Sequence, residues 1–288
     1  MHDGAAINFI DTHRLLSQNQ NSESANARLA SPFSSLPSIR AYVINLDGAA
    51  KRWSHVQKIF AEAGITFARV PAIDGKTLEL EPSIYSEAGY LSLHGRQTNP
   101  PEVGCYLSHV RAMRSFLDTD SELALICEDD ISFGPELVTV MTAILSLRRF
   151  WNLLRLSGLS EGCPLKVQSL SPDASLCINL RRVKGAGAYL IDRKGAQTLV
   201  NSLLPMKLPF DHALDREWCH HLTAASVIPY PINQIQKRFG SSIQTYAQPK
   251  LSAFRRWLTT YPYQASNEIM RWLCRSTLFL AVKLRSLR

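Results

Sequence analysis

Apolar residues fall along this chain in two alternating patterns: short unbroken runs, which read as strands buried on both faces, and stretches with helical spacing. The run AYVINL from Ala41 leads to Trp53, Val56, Phe60 and Ala63 at helical spacing, with Asp47 as the expected N-cap and Gly64 at the helix end. A second short strand spans Thr66 to Ile73 and ends in a turn at Asp74 and Gly75. Asn99 and Pro100 open a helix with Glu102 at the capping-box position and Val103, Leu107, Val110 and Leu117 as one stripe. His109 lies on the border of that stripe, where a packed, hydrogen-bonded histidine is the ordinary finding. Leu123 to Cys127 is the next strand, and Gly134 and Pro135 open a helix facing inward through Leu137, Met141, Ile144 and Leu145. Asn152 to Leu156 and VKGAGAYLI read as strands, with Gly185 and Gly187 marking a close approach by another group. Asp192 caps a helix through Leu203, while 159–180, with Pro164 and Pro172, reads as irregular. Strands alternating with helices predict an α/β sandwich around a mostly parallel sheet.

The central run ELALICEDDISF ends its strand in three acids, Glu128, Asp129 and Asp130. Three carboxylates cannot be buried side by side without compensation, because each loses hydration and raises its neighbours' pKa. A hard divalent cation such as Mn²⁺ or Mg²⁺ answers that need; a solvated acidic turn is the alternative. Asn45 and Asp47, Asp74 and Gly75, and the three acids all follow predicted strands, where open α/β sheets form their ligand crevice. Walker and GxGxxG patterns are absent from the sequence, which gives no support to P-loop or ordinary dinucleotide chemistry.

Charge matters once it is located. The net charge is +8, but residues 250–288 hold Lys250, Arg255, Arg256, Arg271, Arg275, Lys283, Arg285 and Arg288 against Glu268 alone. The rest is nearly neutral, so an anionic surface met by one end is expected, and a nucleic-acid groove is not. From Glu268 on, Ile269, Leu273, Leu280, Leu284 and Leu287 share one helical face, with Arg271, Arg275 and Arg285 roughly opposite. That pattern suits a helix lying on an anionic membrane without spanning it, or one packed on the domain. Three parts are therefore expected: a flexible extension (1–38) rich in Asn, Ser and Gln, a catalytic domain (39–249), and a basic amphipathic tail (250–288). No signal-peptide pattern precedes the fold, and the six cysteines lack zinc-site spacing; Cys163 and Cys177 flank a loop and would pair only in an oxidising compartment. The cytoplasm is the expected location.

INLDGAAKR, FARVPAIDG, PEVGCYLSHVRAMR, ALICEDD, GAGAYLIDRKGAQTL and LPFDHAL, in this order, resemble glycosyltransferase family 25 over roughly residues 40–235. That family includes bacterial lipooligosaccharide galactosyltransferases and is related to collagen galactosyltransferases. The resemblance implies a GT-A-like nucleotide-sugar-binding fold and transfer of a hexose, galactose favoured, from a UDP-sugar to a saccharide acceptor, with inversion. The acceptor is expected to be lipid-linked, in lipopolysaccharide or other cell-surface glycan synthesis, with the enzyme peripheral on the cytoplasmic face of the inner membrane. By the same resemblance Glu128, Asp129 and Asp130 stand at the metal site, with Asp130 the first choice of direct ligand and His212 a possible addition. Asn45, Asp47, Arg52, Asp74, Gly75, Ser108 and His109 would border the nucleotide. Asp211 is the candidate base for the acceptor hydroxyl; without the resemblance it reads equally as a helix N-cap. Cys127 and Met113 depart from the family's usual aliphatic and aromatic residues without removing an ionisable group. A non-catalytic sugar-nucleotide or lipid binder, and less readily a nucleic-acid binder using the basic tail, are the alternative classes.

Overall fold

The computed structural model describes residues 39–235, 246 and 248–286, and its main sheet has eight strands. These are β1 (Ile39–Asn45), β2 (Phe67–Pro71), β3 (Leu123–Glu128), β5 (Leu153–Arg155), β6 (Pro164–Ser169), β7 (Ser175–Asn179), β8 (Ala188–Asp192) and β9 (Ala224–Ile228), in the order β2-β1-β3-β8-β5-β9-β7-β6. Only β7 and β8 run against the others, so the sheet is mostly parallel, as the alternation predicts. A separate ribbon pairs β4 (Ile131–Phe133) with β10 (Ile232–Gln234), antiparallel.

Side-chain alternation along the central strands feeds two cores. Ala41, Val43, Leu125 and Cys127 face α1 (Ala50–Glu62) and α4 (Leu137–Ser146), meeting Val56, Phe60, Met141 and Ile144. Tyr42, Ile44, Ala124 and Ile126 face the other layer: α2 (Glu87–His94), α3 (Pro100–Leu117), α5 (Arg193–Ser202) and α6 (Phe210–Leu214). α3 is buried well beyond the expected stripe, because α5 and α6 cover the sides the sheet does not. Its Gly104 lies directly against Gly75, and a Cβ on either would strike backbone atoms of the other segment. This contact locks the turn after β2 onto the start of α3.

Local expectations divide. Asp192 caps α5 through Gly195 N–H at 2.6 Å, and Gly187 makes room for the Gln234 side chain. Asp47 is not the cap of α1; Ala49 holds that position, and the Asp47 carboxylate accepts from Arg69 at 2.7 Å. The 159–180 segment is not irregular but contains the β6–β7 hairpin, whose bulge between Lys166 and Gln168 breaks the alternation a strand would show. The expected extension (1–38), Leu287 and Arg288 lie outside the described residues, as does the Arg285 side chain.

The C-terminal segment forms α7 (Ala253–Leu258) and α8 (Thr260–Ser286), and α8 packs on β6, β7 and α2. Its arginine face turns inward and its apolar stripe outward, the reverse of what packing on the domain through that stripe would give. Arg271 and Arg275 are 1% and 3% exposed, while Ile269, Leu280 and Leu284 are 60%, 60% and 66% exposed. The arginines turn inward because acids await them. Arg275 forks onto Glu217 at 2.7 and 2.8 Å and reaches Asp215 at 3.1 Å; Arg271 meets Asp215 at 2.8 Å and also pairs with Glu268. Arg155 joins the cluster at 3.6 Å from Asp215. Buried charges persist when they are set against opposite charges in this way. Among the described residues no helix is long and apolar enough to cross a membrane.

Candidate active site

β1, β2 and β3 end side by side, and their last residues build one polar corner. Asn45, at the end of β1, donates through Nδ2 to Asp129 at 2.7 Å and accepts from Arg69 through Oδ1 at 2.9 Å. Arg52, from the first turn of α1, reaches the other Asp129 oxygen at 3.0 Å. Asp129 is thereby occupied by protein groups, although burial outweighs them and leaves its carboxyl raised. Asp130 differs. Its Oδ1 is buried without a hydrogen-bond partner among the described residues, and burial together with the Glu128 charge pushes its carboxyl up to about 7.

Glu128 points the other way, toward α3. One carboxylate oxygen lies 3.4 Å from His109 Nε2, and the other accepts from Gln234 Nε2 at 3.2 Å. The His109 ring stacks on Phe210 with a centroid separation of 3.9 Å, and its Nδ1 is 3.1 Å from the Tyr189 hydroxyl. His109 is therefore packed, with both ring nitrogens turned to Tyr189 and Glu128. Ser108 is fully buried, accepting from Ile73 N–H and donating to Gly104 O, so it too is turned away from the crevice. Gly75 is spent on the contact with Gly104, while exposed Asp74 accepts from Lys76 N–H.

The expected metal set is not gathered round one point. Asp129 is bound to Asn45 and Arg52, and His212 takes a hydrogen bond from Arg182 at 2.9 Å. Among the described residues the side chains with ligand atoms within 4.8 Å of one another are Cys105, His109 and Glu128. Burial and nearby carboxylates push the Cys105 thiol well up, away from the thiolate a metal would take. Asp130 is the residue that fits a hard cation. Such an ion needs only one or two carboxylates and fills its remaining positions with water and phosphate oxygens, and the partnerless buried oxygen is where one would sit.

A second cluster lies beyond Cys105, which feels the charges of Glu128, Asp211, Glu102 and Asp130. Pro209 is the N-cap of α6, so Asp211 is not the cap; its carboxylate accepts from Gly185 N–H at 3.1 Å. Burial opposes its ionisation, but His212, that N–H, Arg182 and Arg155 prevail and hold it below the usual range. Burial lowers His212 to about 4, with Asp211 opposing and Arg182 assisting, so the ring is neutral near pH 7. His94 packs edge-on against His212 at 5.3 Å and is lowered to about 3, chiefly by burial and then by His212. Glu102 accepts from the Tyr90 hydroxyl, and burial, with a contribution from Asp211, raises its carboxyl.

The profile of glycosyltransferase family 25 (LPS biosynthesis protein) matches residues 38–214. The chain belongs to glycosyltransferase family 25. A glycosyltransferase 25 family member of Drosophila pseudoobscura pseudoobscura is 34% identical over 99 residues, covering 33% of this chain and 16% of its own length. Procollagen galactosyltransferase 1-B of Xenopus laevis is 27% identical over 183 residues, 60% of this chain and 30% of that protein. The chain thus spans about a sixth to a third of these curated relatives. A solved glycosyltransferase involved in glycosylation of the PBCV-1 major capsid covers 73% of this chain and 97% of its own, at 10% identity and a TM-score of 0.42.

The family match runs from β1 through α6 and so contains the acids after β3 and Asp211. Gln234 on β10 and the whole of α8 lie beyond it. Gln234, Glu102 and Arg182 escaped the reading of the sequence. Glu102 has the spacing of a capping acid, Arg182 falls between the segment taken as irregular and the expected strand VKGAGAYLI, and Gln234 follows two prolines with no motif around it. The one signal for Gln234 was the pair of glycines, Gly185 and Gly187, that make room for it.

Proposed function

We propose that the protein transfers a hexose, galactose favoured, from a UDP-sugar to a saccharide acceptor, with inversion, in lipopolysaccharide, lipooligosaccharide or related cell-surface glycan synthesis. The observation that carries this reading is the partnerless buried oxygen of Asp130 at the carboxyl ends of three parallel strands, within the segment matched to family 25. Asp130 would hold Mn²⁺ or Mg²⁺, which when bound supplies Lewis-acid stabilisation of the departing diphosphate. Asn45 and Arg52 fix Asp129, so the loop after β3 keeps one shape while Asp130 stays available. Asp211, already ionised near pH 7, takes the acceptor hydroxyl proton as the acceptor oxygen bonds to the sugar's anomeric carbon and the bond to UDP breaks. Measuring UDP release from UDP-galactose, UDP-glucose and UDP-N-acetylhexosamines over a panel of acceptors, with and without Mn²⁺, tests the assignment. Metal-dependent release with one donor preferred is expected; no release from any donor sinks it.

The protein is further proposed to act on a lipid-linked acceptor from the cytoplasmic face of the inner membrane. The outward stripe of Ile269, Leu273, Leu280 and Leu284, with exposed Trp272 on the same helix and exposed Trp257, Lys250 and Arg255 in the preceding segment, supports contact with an anionic lipid surface. The contact would be made by the apolar stripe itself, since Arg271 and Arg275 are neutralised inside. That neutralisation also weakens the nucleic-acid alternative, which relied on their charge.

A further inference from the structure

α8 and the chain between β7 and β8 enclose an open cleft of about 1000 Å³, and His212 forms part of its wall. One side carries Arg181, Arg182 and Lys184; the other carries Tyr261, Trp272 and Asn267. No carboxylate lies within salt-bridge reach of Arg181, Arg182 or Lys184 among the described residues. The acid in the wall, Glu268, is engaged by Arg271. Arg182 hydrogen-bonds the neutral His212 ring, which orients the guanidinium, and its charge also acts on Asp211. Tyr261 and Trp272 are 41% and 53% exposed, large aromatic faces that a folded chain usually covers. Eleven residues apart on one helix, they stand roughly 16 Å from each other along its axis.

We propose that this cleft is the acceptor subsite and that it takes a saccharide bearing a phosphate or carboxylate group, a proposal that rests on the glycosyltransferase reading above. Arg181 and Lys184, with no carboxylate within salt-bridge reach, are placed to take the anion, and Arg in particular offers a planar fork matched to either oxyanion. The aromatic faces supply apolar platforms for sugar rings, in the usual pattern of a pocket with a few convergent polar groups. Position agrees. His212, in the cleft wall, shares α6 with Asp211, so the cleft and the candidate base are built on the same helix. An acceptor carrying positive charge would instead be repelled by the same wall.

Saturation-transfer NMR on the full chain, with glucose, glucose 6-phosphate, glucuronate and inorganic phosphate as probes, separates ring from charge. At least one charged sugar is expected to bind tenfold or more tightly than glucose, and which one identifies the anion. Arg181→Ala combined with Lys184→Ala should remove that preference, and Trp272→Ala should weaken every sugar while leaving phosphate unaffected. UDP with Mn²⁺, titrated in parallel, should bind wild type and both variants alike. UDP binding without charge selectivity among the sugars overturns the cleft assignment and leaves the glycosyltransferase reading standing. Charge-selective sugar binding without UDP binding sustains the cleft and overturns the donor assignment. Phosphate binding that matches the sugars and ignores Trp272→Ala reduces the cleft to an anion site and also overturns the proposal.

Discussion

Asp130→Asn should make the metal-free protein more stable, and the size of the gain follows from the site. Burial, then the Glu128 charge, lift the Asp130 carboxyl to about 7, against the opposing pull of Arg52. An unfolded aspartate titrates near 3.9, so the native state keeps its proton to higher pH than the unfolded chain does. Native stability is therefore full below about pH 4 and falls as pH rises toward about 7. At pH 8 the ionised group costs at most about 4 kcal/mol by that difference. Water reaching the crevice reduces the working figure to about 2 kcal/mol. Asparagine keeps the shape and carries no charge, so in EDTA at pH 8 the variant should melt roughly 4–8 °C above wild type. The gap should close by pH 4. Thermal melts monitored by circular dichroism across this range read it directly. Equal melting temperatures at pH 8, or a gap that persists at pH 4, would refute the account of Asp130 as a strained, uncompensated carboxylate.

Asp211→Asn should lower kcat by roughly 10²–10⁴ while the UDP-sugar KM stays near wild type, as expected for a group that acts on the acceptor proton; a matching loss of donor affinity would move Asp211 to the donor side. Arg275→Met should destabilise the protein by about 3–5 kcal/mol, because it leaves Glu217 and part of Asp215 buried without their cation. Urea unfolding measures this, and a change under 1 kcal/mol contradicts the role given to the cluster. Sedimentation with vesicles containing anionic lipid should carry the full chain down at low salt, and Leu280→Ser with Leu284→Ser should leave it in the supernatant. Equal binding by both proteins would mean that the outward stripe of α8 is not the contact.

The sheet was readable because β1 and β3 are continuous apolar runs, and strands buried on both faces must be. The acids after β3 were readable for a related reason: polar residues at a strand's carboxyl end have only the crevice to serve. The division of labour among them was not. Nothing local distinguishes Asp129, held by residues 77 and 84 positions away, from Asp130, whose oxygen has no partner. His109 and Ser108 belong to a recognisable motif, yet their surroundings come from Phe210, Tyr189 and Ile73, distant in sequence. The orientation of α8 is the sharpest case. Its periodicity was evident, but periodicity gives two opposite faces without saying which is inside. That depended on Asp215 and Glu217 waiting beneath the helix, and a pair of buried acids can draw arginines inward where leucines would be expected.

The central claim, that Asp130 is the metal-holding carboxylate of a sugar-nucleotide site, is tested most directly by titrating UDP into the full chain calorimetrically, with Mn²⁺ and with EDTA, for wild type and Asp130→Ala. Wild type should bind UDP at least tenfold more tightly with Mn²⁺ than without, and Asp130→Ala should show one weak affinity in both conditions. Undiminished Mn²⁺-dependent binding by Asp130→Ala, with its fold intact by circular dichroism, would contradict the account.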